Sequence, residues 1–150
     1  MQQAAQVESS ESSSRVELVA IPDLMVESVW LLAEPFLAKA TARTSKVSTS
    51  DFLDLLIGGH MQLWLIWTHD RELLAALVTE IVTFRNGWKV AKVVCLGGRQ
   101  LDRWRHLMPK LESWARDESC DALEIIGRPG WGKIFQDYRE IERTFAKELA

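Results

Sequence analysis

Two long runs of β-favouring residues, LLAALVTEIVTF and WKVAKVVCLGG, flank the tripeptide Arg85-Asn86-Gly87. Asn-Gly between such runs predicts an antiparallel hairpin over Leu73 to Gly98, closed by a tight primed turn in which both residues accept positive φ. In its first strand Leu74, Ala76, Val78, Glu80, Val82 and Phe84 are expected on one face, and Leu73, Ala75, Leu77, Thr79, Ile81 and Thr83 on the other. Both faces are largely apolar, so this strand should be central and covered on both sides.

The remaining pattern places the other elements. Arg15 to Ile21 alternates as a short strand that Pro22 stops. Asp23 should cap a helix over Leu24 to Thr44, with Val26, Val29, Trp30, Ala33, Phe36, Leu37 and Ala40 at helical spacing and Pro35 as a kink or break. A second short helix should be capped by Thr49 or Ser50, bury Phe52, Leu55 and Leu56, and end at Gly58-Gly59. Met61 to Thr68 reads as a strand ahead of the turn His69 to Glu72. After Gly97-Gly98 a helix is expected over Arg99 to Glu118, bent at Pro109, with Leu101, Trp104, Leu107, Met108, Leu111, Trp114 and Ala115 on its apolar stripe. Ala122 to Gly127 should be a strand, Trp131 to Asp137 a short helix, and Tyr138 to Leu149 mostly a final strand. The order β, α, α, β, β, β, α, β, α, β predicts an α/β (α+β) domain: a mixed, mostly antiparallel central sheet with helices on both faces.

Composition narrows the setting. Residues 1–14 are Gln, Ala, Ser and Glu without a period, a polar tail that another chain would have to order, followed by one domain over 15–150. The opening stretch has no basic region followed by an apolar one, and no apolar run approaches the roughly 20 residues of a membrane helix, so a cytoplasmic origin is expected. A net charge of −3 gives no electrostatic case for nucleic acid. The two cysteines, Cys95 and Cys120, read as buried free thiols. Of the seven tryptophans, most should pack the core, and one or two exposed ones would mark an interface.

A strand running through glycines into a helix start would gather unpaired N–H groups at a point where the helix dipole favours an anion. Leu96, Gly97, Gly98, Arg99 and Gln100 occupy that point. Glu80 is the candidate base, since a carboxylate unpaired on an apolar face would hold a raised pKa; pairing with Lys89 or Lys92 is the structural alternative. Glu124 alternates with Leu123 and Ile125, and Arg128 follows Gly127 in what also reads as a plain turn. His60, His69 and His106 lack two-ligand spacing, so no metal site is expected. No GxSxG, Walker or Rossmann pattern is present.

The element order, with the glycines closing the strand after the Asn-Gly turn, resembles the GNAT N-acetyltransferase fold over roughly Arg15 to Leu149. The resemblance implies acyl-CoA in a gap between Val90–Leu96 and Ala122–Gly127, its pyrophosphate on Leu96 to Gln100. It also places Phe135 where many members carry a tyrosine acid, and Leu96-Gly97-Gly98-Arg99-Gln100 is shorter than the family's glycine loop. The phrases MQLWLIW, AALVTEI and LESWARDESCDALEIIGRPGW are similar to short GNAT-like proteins of bacteriophage and prophage genomes.

Two functions follow as expectations. The leading one is a non-catalytic scaffold without cofactor, a virion component held among other phage structural proteins, or copies of itself, through its tail and exposed aromatics. The alternative is an acetyl-CoA-dependent N-acetyltransferase acting on an unknown amine.

Overall fold

The computed structural model describes residues 15–43, 46–127 and 130–149, so the polar tail and Arg128 lie outside the described residues. Five strands form one sheet in the order β1-β2-β3-β4-β5: β1 (Val16–Ile21), β2 (Gln62–Thr68), β3 (Leu73–Thr83), β4 (Lys89–Gly98) and β5 (Ala122–Ile125). The first four pair antiparallel and β5 joins β4 in parallel. Helices α1 (Val26–Thr41) and α2 (Thr49–Ile57) cover one face, where Val26, Ala33, Leu37, Phe52 and Leu56 meet Leu63, Leu65, Ala76, Val78 and Cys95. Helices α3 (Met108–Asp117) and α4 (Trp131–Ile134) lie on the other, where Leu107, Met108, Leu111 and Phe135 meet Trp64, Ile66, Leu77, Val93 and Leu96. The expected mixed sheet with helices on both faces is therefore present.

The central hairpin forms with a different turn. Arg85, Asn86 and Gly87 make a loop in which only Gly87 has positive φ (88°), while the Asn86 side-chain oxygen accepts the Trp88 N–H at 3.0 Å. The Gly87 N–H bonds to the Phe84 carbonyl and Phe84 N–H to the Trp88 carbonyl, a wider closure than a primed turn. The strict alternation expected along β3 also breaks. Between the pairs Ile66↔Ala75 and Trp67↔Leu73 the residue Leu74 is extra, and this bulge puts Leu74 with Ala75 and Leu77 on the α3 face while Leu73 turns to the α1 face.

Local chemistry sets the helix ends. A 3-10 turn (Asp23–Met25) precedes α1, with Asp23 Oδ1 accepting the Leu24 N–H at 2.8 Å, and α1 continues through Pro35 without ending. The cap of α2 is Ser48, one residue before those expected. Its hydroxyl accepts the Asp51 N–H while Asp51 Oδ2 accepts the Ser48 N–H at 2.8 Å, a reciprocal capping box. Those bonds, the backbone one foremost, hold the Asp51 carboxyl below the usual carboxylate range. At the other end Gly59 (φ 75°) and His60 donate to Leu56 and Leu55 carbonyls, the 5→2 and 6→1 bonds of a Schellman stop.

The segment after β4 departs furthest from expectation. In place of one bent helix there are two 3-10 turns, Leu101–Arg103 and Arg105–Leu107, and α3 begins only at Met108 with Pro109 in its first turn. Proline lacks the N–H that a first turn would leave unbonded anyway, so it starts this helix instead of bending it. Residues 139–149, expected as a strand, have no regular secondary structure. Charged residues occupy much of that stretch, and its apolar side chains Ile141, Phe145 and Leu149 are 58, 90 and 89% exposed.

Candidate functional site

The feature that could do chemistry is the place where β4 and β5 part. Their parallel pairing runs from Val90↔Ala122 to Val93↔Ile125 and ends with the Ile126 N–H donating to the Val93 carbonyl at 3.1 Å. Strand β4 then continues through Val94 to Gly98 with β3 alone. At the point of parting β4 also bulges: Val78 pairs Cys95 and Thr79 pairs Val93, leaving Val94 extra. A bulged residue is lost to its ladder, and here no strand lies on the other side either. Val94 therefore has no residue opposite it on either neighbouring strand, at the point where the two strands diverge.

Aromatic side chains pack on the α3 side of the sheet. Trp104 is buried against Leu96, its indole N–H bonded to the Arg99 carbonyl at 3.0 Å. Trp131 lies so close over Gly127 that a Cβ there would sit 2.4 Å from its ring, and it meets Phe135 edge-on at 5.8 Å. Phe135 in turn meets Tyr138 at 5.9 Å. The Tyr138 hydroxyl donates to Glu112 Oε2 at 2.7 Å, and burial, followed by that carboxylate, drives its pKa far up. Tyr138 therefore holds its proton toward α3, as a structural donor.

On the other face α1 leaves the end of β1 and reaches β4, passing so near that a Cβ on Gly97 would fall 1.8 Å from the Phe36 carbonyl oxygen. The Cys95 thiol lies 3.8 Å from the Leu37 carbonyl, and burial pushes its pKa up to about 11, leaving a neutral packing group. Beyond the end of α1 a cleft of about 430 Å³ is lined by Ala38, Thr41, Ala42, Val47, Ser48 and Asp51. A second cleft of about 420 Å³ lies at the opposite sheet edge, between Glu17, Trp67, His69 and Arg71.

The residues expected to hold phosphate are placed differently from the sequence reading. Leu96 is buried in the α3-side core. Gly97 and Gly98 are the last residues of β4, paired with Ala76 and Ala75; Gly97 is small because α1 crosses it, and Gly98 because Ala75 abuts it. Arg99 donates its N–H to the Leu74 carbonyl and its guanidinium to Glu72 at 2.6 Å. Gln100 turns the chain with φ 55°, and its side-chain oxygen accepts Arg103 Nη1 at 2.8 Å. The N–H groups at the start of a helical turn belong instead to Leu101, Asp102, Arg105 and His106. From Arg99 to Lys110 that segment carries four Arg or Lys side chains against the single carboxylate of Asp102.

Glu80 lies half-buried on the α1 face, opposite Lys92, which is itself in register with Glu124 on β5. These three stand in one row, immediately below the last paired row before the split. Lys92 Nζ sits 5.8 Å from the Phe84 ring centroid, and neither carboxylate forms an ion pair within 4 Å among the described residues. Also among the described residues, no three His, Cys, Asp or Glu side chains gather as a metal would require. Sequence reasoning missed the Val94 bulge, although Val93-Val94-Cys95-Leu96, four apolar residues in a row where alternation should continue, carried its signal.

Neither a protein-family model nor a curated protein sequence matches the chain. Solved structures do. A ribosomal-protein-alanine N-acetyltransferase from Brucella melitensis biovar Abortus 2308 superposes with a TM-score of 0.63 at 12% identity, over 91% of this chain and 99% of that one. An aminoglycoside 6'-N-acetyltransferase from Acinetobacter baumannii gives 0.58 at 17% identity, over 91% and 100%. A GNAT family acetyltransferase from Staphylococcus aureus gives 0.61 at 14%, over 89% and 98%. The chain has the GNAT fold. These neighbours overturn the expectation of a non-catalytic virion component: the structures it resembles, each covering about nine-tenths of the chain, are acetyltransferases. Among the described residues no helix is long and apolar enough to cross a membrane.

Proposed function

We propose that the chain is an acyl-CoA-dependent N-acyltransferase acting on an amine, and the parting of β4 from β5 beside the Val94 bulge carries the reading. The residues present fit an acyl-CoA thioester. An extended pantetheine arm would lie between the diverging strands, beside the bulged Val94. The pyrophosphate would be held at the 3-10 turns by first-turn N–H groups and by the guanidinium groups of Arg103 and Arg105, which now rest on Gln100 and Asp102. Similarity in phrase to short prophage-encoded proteins supports a phage or prophage gene as the source and does not bear on the chemistry.

Acetyl-CoA supplies an activated carbonyl. The chain's part is to hold that carbonyl, with a β4 N–H directed at the oxygen as negative charge develops on it. The amine nitrogen bonds to the carbonyl carbon, the carbon–sulfur bond breaks, and the amine proton ends on the departing thiolate through solvent or a carboxylate. Glu80 and Glu124 flank the row below the split and are the two carboxylates placed to take that proton. Phe135 has no proton to give and Tyr138 is committed to Glu112, so reprotonation of the thiolate falls to water or to the carboxylate that received the proton.

Isothermal titration with acetyl-CoA tests the reading. The parent should bind with a micromolar Kd, and the double variant Arg103→Glu with Arg105→Glu should bind at least tenfold more weakly with an unchanged circular dichroism spectrum. A folded parent that gives no heat, or a double variant that binds as the parent does, would remove the acyltransferase reading.

A further inference from the structure

Among the described residues, two stretches of apolar surface are left uncovered. The first runs from the 3-10 turn before α1 along that helix's outer face: Leu24 and Leu31 are 92 and 90% exposed, Leu32 and Met25 a little over half. Leu24, Ser28, Leu31 and Pro35 follow the 4-3-4 spacing of a helix seam, and none of them is charged. A surface helix ordinarily turns its polar side outward, so this one shows a seam that nothing in the described chain covers. The second is the segment 139–149. Ile141, Phe145 and Leu149 recur every four residues in a stretch rich in Glu, Arg, Lys and Ala, which favours an amphipathic helix once an apolar surface is supplied.

We propose that two copies of the chain exchange these segments, residues 139–149 of each folding as a helix along the outer face of α1 in the other. On such a helix Glu142 and Glu148 border the Ile141, Phe145 and Leu149 face; beside the α1 seam the exposed Lys39 at the C-terminal end suits them and the exposed Glu27 at the N-terminal end does not, so the fit rests on the apolar area covered. Geometry excludes docking within one chain. Tyr138 is fixed to Glu112 on the α3 side of the sheet, whereas the seam is on the far side of α1, beyond the sheet and that helix. Eleven residues of helix rise only about 16 Å. The path round the sheet edge crosses two layer spacings of about 10 Å each before it reaches the outer face of α1. A two-fold exchange also makes each contact twice. Phe145 alone covers on the order of 150 Å², and with Ile141, Leu149, Leu24, Leu31 and Leu32 doubled by symmetry the interface reaches the roughly 1,200 Å² of the smallest stable ones.

The inference is independent of acyl transfer and is tested on the full chain by sedimentation equilibrium between about 5 and 200 μM. The parent should sediment at twice the 17.1 kDa chain mass. Leu31→Asp, which breaks the seam, and Phe145→Asp, which breaks the segment, should each halve the mass. Both sites are about nine-tenths exposed, so each variant should still fold and unfold in one cooperative thermal transition that no longer shifts with protein concentration. Mixing the two monomeric variants leaves one of the two contacts intact, about half the area that a stable dimer needs, so the mixture should associate more weakly than the parent at every concentration. A monomeric parent at 200 μM, a Leu31→Asp or Phe145→Asp variant that remains dimeric, or a mixture that dimerises as tightly as the parent would each overturn the exchange.

Discussion

Replacing Gly97 by alanine should be among the most damaging single-methyl additions in this chain. The added carbon would sit 1.8 Å from the Phe36 carbonyl oxygen and 2.6 Å from its carbonyl carbon. An ordinary carbon–oxygen contact needs about 3.3 Å, so α1 or β4 must retreat by roughly 1.5 Å. Neither can move alone: α1 is locked by Val26, Ala33 and Leu37, all at most 1% exposed, and β4 is paired with β3 through this residue. The obstacle is backbone, with no rotamer to swing aside. Overpacking of this kind costs about 3 kcal/mol, the upper part of the usual range. For a chain of this size that lowers the melting temperature by roughly 6–12 °C. The assay is thermal unfolding followed by circular dichroism, with Gly132→Ala as control, since nothing lies within 4 Å of a Cβ there. The control should stay within about 0.5 kcal/mol of the parent. A Gly97→Ala protein melting within 2 °C of the parent, on this same roughly 2–4 °C per kcal/mol scale, would refute the close approach of α1 to β4.

Trp64→Phe removes the indole N–H that donates to Thr79 Oγ1 at 2.9 Å in the α3-side core, together with the edge-on contact to Trp114, and should cost about 1–3 kcal/mol by urea titration. Ser48→Ala removes the α2 cap and should cost about 1 kcal/mol in the same assay. The buried Cys95 thiol and the Tyr138 phenol both have folded pKa values raised above their unfolded ones. Each contribution is complete below the unfolded value, 9.0 for the thiol and 10.0 for the phenol, and is lost as pH rises through the folded value. Stability measured in urea should therefore fall between pH 9 and 11, and the Cys95→Ala, Tyr138→Phe double variant should show a flatter profile there.

Much of the architecture could be read from apolar periodicity, because β2, β3 and β4 bury both faces and have no competing helical pattern. The helix stops at Gly58-Gly59 and the central place of Leu73 to Thr83 were legible for the same reason. What periodicity could not show was where it is broken. The bulges at Leu74 and Val94 fall within apolar runs that mark a lapse of alternation, but which residue is extra depends on the partner strand's register. The stretch after Gly98 carries the apolar spacing of a helix, yet the αL turn at Gln100 and the buried Trp104 indole bonding back to Arg99 divide it into short turns. At the candidate site, the two strands between which the resemblance implied an acyl gap do part after Val93 and Ile125. Sequence reasoning misassigned the role of the glycines, since close approach by a helix and accommodation of a phosphate leave the same residue in the sequence. Glu80 was legible as a carboxylate on an otherwise apolar face, but its place beside Lys92 and Glu124 depended on register.

The central claim is that the parted β4 strand receives an acyl-CoA thioester. The most direct measurement is a two-dimensional 15N–1H correlation spectrum of the assigned protein, recorded as acetyl-CoA is added. The account expects saturable shifts concentrated at the amides of Val94, Cys95 and Leu96 and in the turns from Leu101 to His106, with the amides of β1 unmoved. An unchanged spectrum at millimolar acetyl-CoA, or shifts gathered at the Glu17, Trp67 and His69 edge, would contradict it.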